Sequence, residues 1–126
     1  MKNLKIAISI LVILIAVISI SHIYLYGSSE RMADQISSAE KNVISGKTDN
    51  ASKNIENFEG EWERNKHVFA TFIRHAEIDL ANQSAAKLST FLKEDDKTDF
   101  LAECETLRMQ INHIAETEQF NLDNIF

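Results

Sequence analysis

The chain has 126 residues, a formal charge of −6, 44% hydrophobic residues, no proline and three glycines, Gly27, Gly46 and Gly60. Without proline and with so little glycine, a β architecture with tight turns is disfavoured and long helices are favoured, so the predicted fold class is all-α. Residues 27–126 hold 19 acids against 11 Lys and Arg, a balance that lacks the basic stripe needed to neutralise phosphates and excludes nucleic acid as a partner class.

The first element is an apolar run over residues 6–26, with eight Ile, three Leu and two Val and no Lys, Arg, Asp or Glu. At ~1.5 Å per residue it reaches about 30 Å as a helix, the thickness of a bilayer core. Ser9, Ser19, Ser21 and His22 are outweighed by the aliphatic residues, and Tyr24 and Tyr26 fall where an interfacial aromatic belt is expected. A cleaved signal peptide has a shorter apolar core followed by small residues, whereas here the exit reads His22-Ile23-Tyr24-Leu25-Tyr26-Gly27. No cysteine lies near the end of the run, which removes the lipoprotein alternative. Lys2 and Lys5 on one flank, against Glu30 and Arg31 on the other, place residues 1–5 in the cytoplasm by the positive-inside rule. The expected organisation is a cytoplasmic segment 1–5, a transmembrane signal-anchor helix 6–26 contacting membrane lipid, and an extracytoplasmic helical domain 27–126.

Past the anchor, Met32, Ile36, Ala39 and Val43 recur at four, three and four, which predicts a stem helix continuing from the span and capped at Gly46. Thr48 or Asp49 can cap a second helix carrying Ala51, Ile55, Phe58 and Trp62. Its end falls in Glu63-Arg64-Asn65-Lys66, where the absence of a breaker leaves both a tight turn and a bent continuation open. Phe69, Phe72, Ile73, Ala76, Leu80, Leu88, Phe91 and Leu92 fit one face of a third helix, ending before the acidic turn Glu94-Asp95-Asp96-Lys97. Thr98 or Asp99 can cap a fourth, whose Phe100, Cys104, Leu107, Ile111 and Ile114 step by four, three, four and three, the cleanest apolar seam in the chain. Lys47-Thr48-Asp49 and Lys97-Thr98-Asp99 are identical triplets that each open a helix, through shared capping chemistry or duplication of a helical hairpin. The predicted architecture is a three- to four-helix bundle or a set of tetratricopeptide-like helical hairpins.

Candidate chemistry is sparse. Metal ligation would have to draw on His67, His75, His113, Glu77, Asp79 and Cys104, and none shows specific ligand spacing. His75 and Asp79 lie one turn apart, so they and the intervening Glu77 are the weak polar-site candidates, most simply a local polar pair. No Gly-x-Ser-x-Gly element and no glycine-rich phosphate loop occurs, so neither catalysis nor a cofactor or metal is expected. Cys104, the single cysteine, sits among seam residues and reads as a small buried hydrophobe. Trp62, Phe69, Phe72 and Ile73 must be covered by something: the core between helices, or a partner's helix lying in a groove as in tetratricopeptide hairpins. The tail Phe120, Leu122, Ile125 and Phe126 is too apolar for a solvated end and either folds back or docks on a partner.

Several runs together resemble a known family: the aliphatic anchor after Met1-Lys2, the element Glu59-Gly60-Glu61-Trp62-Glu63, the run Phe72-Ile73-Arg74-His75-Ala76-Glu77-Ile78-Asp79 and the close Phe120-Asn121-Leu122-Asp123-Asn124-Ile125-Phe126. On these the chain resembles the domain of unknown function 4363, small single-pass membrane proteins of clostridia and related Firmicutes. The resemblance implies a membrane-anchored helical accessory protein and assigns no activity. The expected function is therefore an accessory or scaffold role on another membrane or envelope protein, docked through Trp62, Phe69, Phe72, Ile73 and Phe126, with homo-oligomerisation left open. The alternatives are an envelope sensor subunit that binds a ligand or metal at His75 and Asp79, and a division-type coiled-coil assembly protein.

Overall fold

The computed structural model describes the backbone of residues 1–125 and the side chains of residues 1–116; Phe126 and the side chains of Phe120, Leu122 and Ile125 lie outside the described residues. It is built from four helices, α1 (Lys2–Ile44), α2 (Thr48–Phe72), α3 (His75–Lys93) and α4 (Lys97–Ile125), with no strand among the described residues. Connections of two or three residues force consecutive helices to run antiparallel. α1 packs chiefly on α2 and α4, and α3 on the same two. The result is an up-down-up-down four-helix bundle rather than a row of stacked hairpins.

Span and stem are a single helix. α1 runs unbroken through Gly27, and its two halves face different surroundings: Leu4 to Val17 are exposed on every side, whereas Leu25, Met32, Ile36 and Ala39 are fully buried in the bundle. The predicted stem is thus one of the four bundle helices. Leu25, placed by the sequence inside the 6–26 span, is a core residue of the bundle.

The remaining stripes meet those of α1 in one core. α2 supplies Ala51, Ile55, Phe58, Trp62 and Phe69, and its aromatic rings stack along the helix, Phe58 on Trp62 at 6.4 Å and Trp62 on Phe69 at 6.0 Å between centroids. α4 supplies Phe100, Cys104, Leu107, Ile111 and Ile114, every one of the predicted seam residues. Only α3 departs from the expected face. It buries Ile78, Ala81, Ala85 and Leu88, leaves Leu80 and Ala76 exposed and Phe91 and Leu92 at the core edge, while Phe69 and Phe72 belong to α2 and Ile73 to the turn. The periodicity misled because the break falls late. Charged Glu63, Arg64, Lys66 and His67 sit on the outer face of a continuous α2 whose buried stripe passes through Asn65 to Phe69. The helix stops where β-branched Ile73 turns extended (φ −115°, ψ 147°) and tucks its side chain under the bundle, a conformation that suits its branched Cβ.

The two turns at the opposite end share one construction. Gly46 takes φ +78°, with its N–H on the Val43 carbonyl and the Lys47 N–H on the Asn42 carbonyl. Asp95 takes φ +57°, with its N–H on Leu92 and the Asp96 N–H on Phe91. Both are Schellman closures, which satisfy carbonyls that the helix end leaves open. The identical Lys-Thr-Asp triplets stand one residue out of step with these stops: Lys47 closes its turn, whereas Asp96 closes the other and Lys97 is the first residue of α4. The predicted caps are displaced: Lys47 precedes α2 with no side-chain cap, and Asp96 rather than Thr98 or Asp99 caps α4, its Oδ1 accepting the Asp99 N–H at 3.2 Å.

The left-handed positions give the first prediction. Gly46→Ala, which must hold a Cβ at positive φ, should cost about 1 kcal/mol, and Asp95→Gly should gain about 0.5–1 kcal/mol by removing the same penalty. Thermal unfolding of the full chain in detergent micelles reads both, with midpoints moving in opposite directions.

Candidate functional site

The strongest polar feature lies at the end of the bundle where the bare part of α1 begins. Asn65, one of few buried polar residues, accepts the Tyr24 hydroxyl at 2.8 Å through Oδ1 and donates from Nδ2 to Ser28 Oγ at 3.1 Å and to the Glu61 carbonyl at 3.0 Å. Beside it Arg31 bridges to Glu61 at 2.8 Å. Further along the same interface Asn42 donates to Asn54, and Asn54 to Gln35, at 2.7 and 2.9 Å. A buried amide must find partners or cost several kcal/mol, so each of these groups narrows the positions α1 and α2 can take against one another.

Every other side of the bundle carries its own polar tie. Trp62 Nε1 donates to Asn82 and Ser89 Oγ to Glu59, linking α2 with α3. Arg108 joins α4 to α1 through an ion pair with Glu40, while also pairing with Glu105 of its own helix. His113 Nε2 of α4 lies 3.3 Å from Glu77 of α3.

The sequence-predicted residues divide accordingly. Trp62, Phe69 and Ile73 are buried at 2, 0 and 4% exposure within the chain's own core, and of the three only Trp62 borders a shallow surface hollow, with Glu59, Glu63, Asn82, Ala85 and Ala86. Of the two readings offered for this cluster, core and groove, Trp62, Phe69 and Ile73 take the core, where the rings of Phe58, Trp62 and Phe69 stack in turn. Of that group only Phe72, 40% exposed, reaches the surface. His75 and Asp79 are exposed and do not meet. Glu77, half-buried, pairs instead with His113 and, at 3.7 Å, with Arg74. Its Oε2 and the Oε1 of Gln110 are buried and accept no hydrogen bond, which leaves acceptor capacity unused along the α3–α4 seam. Among the described residues no three His, Cys, Asp or Glu side chains come together as metal ligands.

The sequence reading passed over Asn65, although its signal was present: it stands three residues after Trp62 and four before Phe69, a polar side chain within an apolar stripe. It also passed over Met109, 63% exposed, and placed Leu80, 52% exposed, on the buried face of α3. These two lie about one helical turn beyond the Glu77–His113 contact on their respective antiparallel helices, so they border the same seam.

Cys104 is fully buried, and burial, reinforced by the Glu40 carboxylate, pushes its thiol up to about 12 from an ordinary value of 9.0. Because the folded value is the higher one, this residue's share of stability is whole below pH 9 and is lost as pH rises toward 12. A folded chain should thus resist iodoacetamide at pH 8 and react once unfolded in guanidinium, and Cys104→Ala should lose less stability than the native chain between pH 9 and 12. Asn65→Ala, which opens a void and strands Ser28, should cost about 2–3 kcal/mol, against under ~1 kcal/mol for the edge contact removed in Ser89→Ala; denaturant unfolding of both variants compares them.

No curated protein and no solved structure matches the chain. A family model does, over residues 19–125, from the point where α1 becomes partly covered by the bundle through to the end of α4. That match takes in nearly all of the four-helix bundle, and the chain belongs to the family described as domain of unknown function DUF4363.

Proposed function

We propose that this protein is a membrane-anchored accessory or scaffold protein whose extracytoplasmic bundle binds another membrane or envelope protein. The observation that carries the reading is the continuity of α1, the one helix among the described residues that is long and apolar enough to cross a membrane. A rigid helix shared between a span and a bundle holds the bundle at a set height and orientation over the bilayer, which is what a docking module needs. Lys2 and Lys5, with no acid before Glu30, favour a cytoplasmic N-terminus.

With Trp62 and Phe69 committed to the core, the partner surface moves to the α3–α4 seam. Leu80 and Met109 offer exposed apolar side chains beside the Glu77–His113 pair, the mixture of apolar centre and polar rim typical of a protein contact. Neither side chain supports the core, so Leu80→Ser with Met109→Ser should leave unfolding unchanged within about 0.5 kcal/mol. Crosslinking mass spectrometry on intact cells is the test. The reading expects one dominant membrane or envelope protein crosslinked to the bundle from outside, and loss of that product in the double variant. Equal crosslinking of the double variant, or protease protection of the bundle in intact cells, overturns it.

A further inference from the structure

The bare stretch of α1 is too short to span a bilayer by itself. Residues 4–17, exposed on all sides, reach about 21 Å, some 9 Å less than a ~30 Å hydrocarbon core. The missing length falls on residues 18–26, where Ile18, Ser19, Ser21 and His22 are already partly covered and Leu25 is buried. Whatever covers them lies at the depth where lipid headgroups meet acyl chains.

The α2–α3 turn is at that depth. Asn65 is level with Tyr24 and Ser28, to which it is hydrogen-bonded, and α2 continues antiparallel to α1 for seven residues to Phe72, about 10 Å further toward the anchor. This places Phe72, Ile73 and Arg74 beside residues 18–22. We infer that this turn is a second membrane contact, a wedge formed by Val68 and Phe72 with the surrounding basic side chains that seats the base of the bundle in the headgroup region of the leaflet.

The surface chemistry fits a lipid occupant. Val68 and Phe72 are 39 and 40% exposed, and Ile20, Ile23, Tyr24 and Tyr26 are exposed on α1 at the same end. Residues 64–76 hold Arg64, Lys66, Arg74, His67 and His75 and no acid, inside a domain with a large acidic excess. Glu63 and Glu77 flank the stretch and pair with Lys66 and Arg74, yet Arg74 keeps 86% of its side chain exposed. Apolar and aromatic side chains ringed by Arg and Lys are the makeup of elements that lie in a membrane interface, with added attraction for anionic lipid. A partner protein at this face would have to share the space with the headgroups that the length of α1 brings there.

The inference rests on α1 crossing the membrane, and the experiment separates the two. The full chain carrying Phe72→Cys is labelled with an environment-sensitive fluorophore, which the buried Cys104 does not take up, and reconstituted in vesicles of equal parts phosphatidylcholine and phosphatidylglycerol. Val68→Cys serves as a second position should labelling at 72 disturb folding, and Lys47→Cys, in the far turn, as the control. Lipid spin-labelled high on its acyl chain should cut emission at 72 and 68 by about half, since interfacial elements sit ~5–10 Å into that boundary, and leave position 47 unchanged. If the chain floats with the vesicles but 72 and 68 are no more quenched than 47, the wedge is wrong and the anchor stands. Shielding of 72 from iodide without quenching by the lipid label puts protein on this face and also overturns the inference. A chain that does not float removes the anchor and the wedge together.

Discussion

The rest of the structure depends on α1 remaining one helix across a change of surroundings. Its N-terminal half has no neighbours and its C-terminal half packs on α2 and α4, yet the hydrogen-bond ladder runs from Lys2 to Ile44 without interruption. A proline or a glycine pair near residues 24–29 would uncouple the two halves. Gly27 is a single glycine with helical neighbours, and Ser29 spends its hydroxyl on the Leu25 carbonyl, 2.9 Å away in the same helix. Gly27, Ser28 and Ser29 also present the smallest side chains of α1 where Asn65 approaches. The junction is therefore narrow because α2 packs against it, and the packing in turn discourages a bend there.

Helix bundles built on apolar stripes alone can slide by a turn at modest cost, since one aliphatic contact resembles the next. The amides and hydroxyls at the α1–α2 interface work against that. Displacing Asn65 by one turn would remove both Tyr24 and Ser28 as partners and leave a buried amide unsatisfied. Asn54, held between Asn42 and Gln35, repeats the device two to three turns further along. Arg108 with Glu40 and Trp62 with Asn82 complete the ring on other sides. The polar residues most conspicuous in the folded chain thus set register, and through it the depth at which the α2–α3 turn meets α1.

The large apolar side chains that the bundle leaves uncovered lie on its outside and at its base. Each aromatic residue of α2 that first suggested a groove is buried in the core, except Phe72 at the very end. The hollow between the two far turns, floored by Val43, Phe91, Leu92 and Phe100, holds about 180 Å³, and a larger one of about 410 Å³ lies between α2 and α3, lined by Ile55, Glu59, Ser89 and Leu92. Exposed Leu80, Met109 and Phe72 instead offer contact surface to a macromolecule or a lipid layer.

Helix content, the apolar span, the α4 seam and the stop at Gly46 could all be read from residue order, because each depends on local spacing or on a single residue's backbone freedom. The stripes Met32-Ile36-Ala39 and Ala51-Ile55-Phe58-Trp62 are legible for the same reason. The end of α2 was not, since Ile73 and Arg74 carry no breaker and reverse direction only because the bundle receives the Ile73 side chain. The face of α3 was likewise hidden: Ala81 and Ala85 are core residues, and alanine alone does not announce burial. The pairing of Glu77 with His113 rather than His75 with Asp79 came from helices 36 positions apart in sequence being brought alongside. What the sequence by itself determined, then, is that the chain makes long amphipathic helices behind a hydrophobic one. Which side chains those helices spend on each other, and which they leave exposed, was decided only when four antiparallel helices closed into a ring, since burial is a property of neighbours and not of residues.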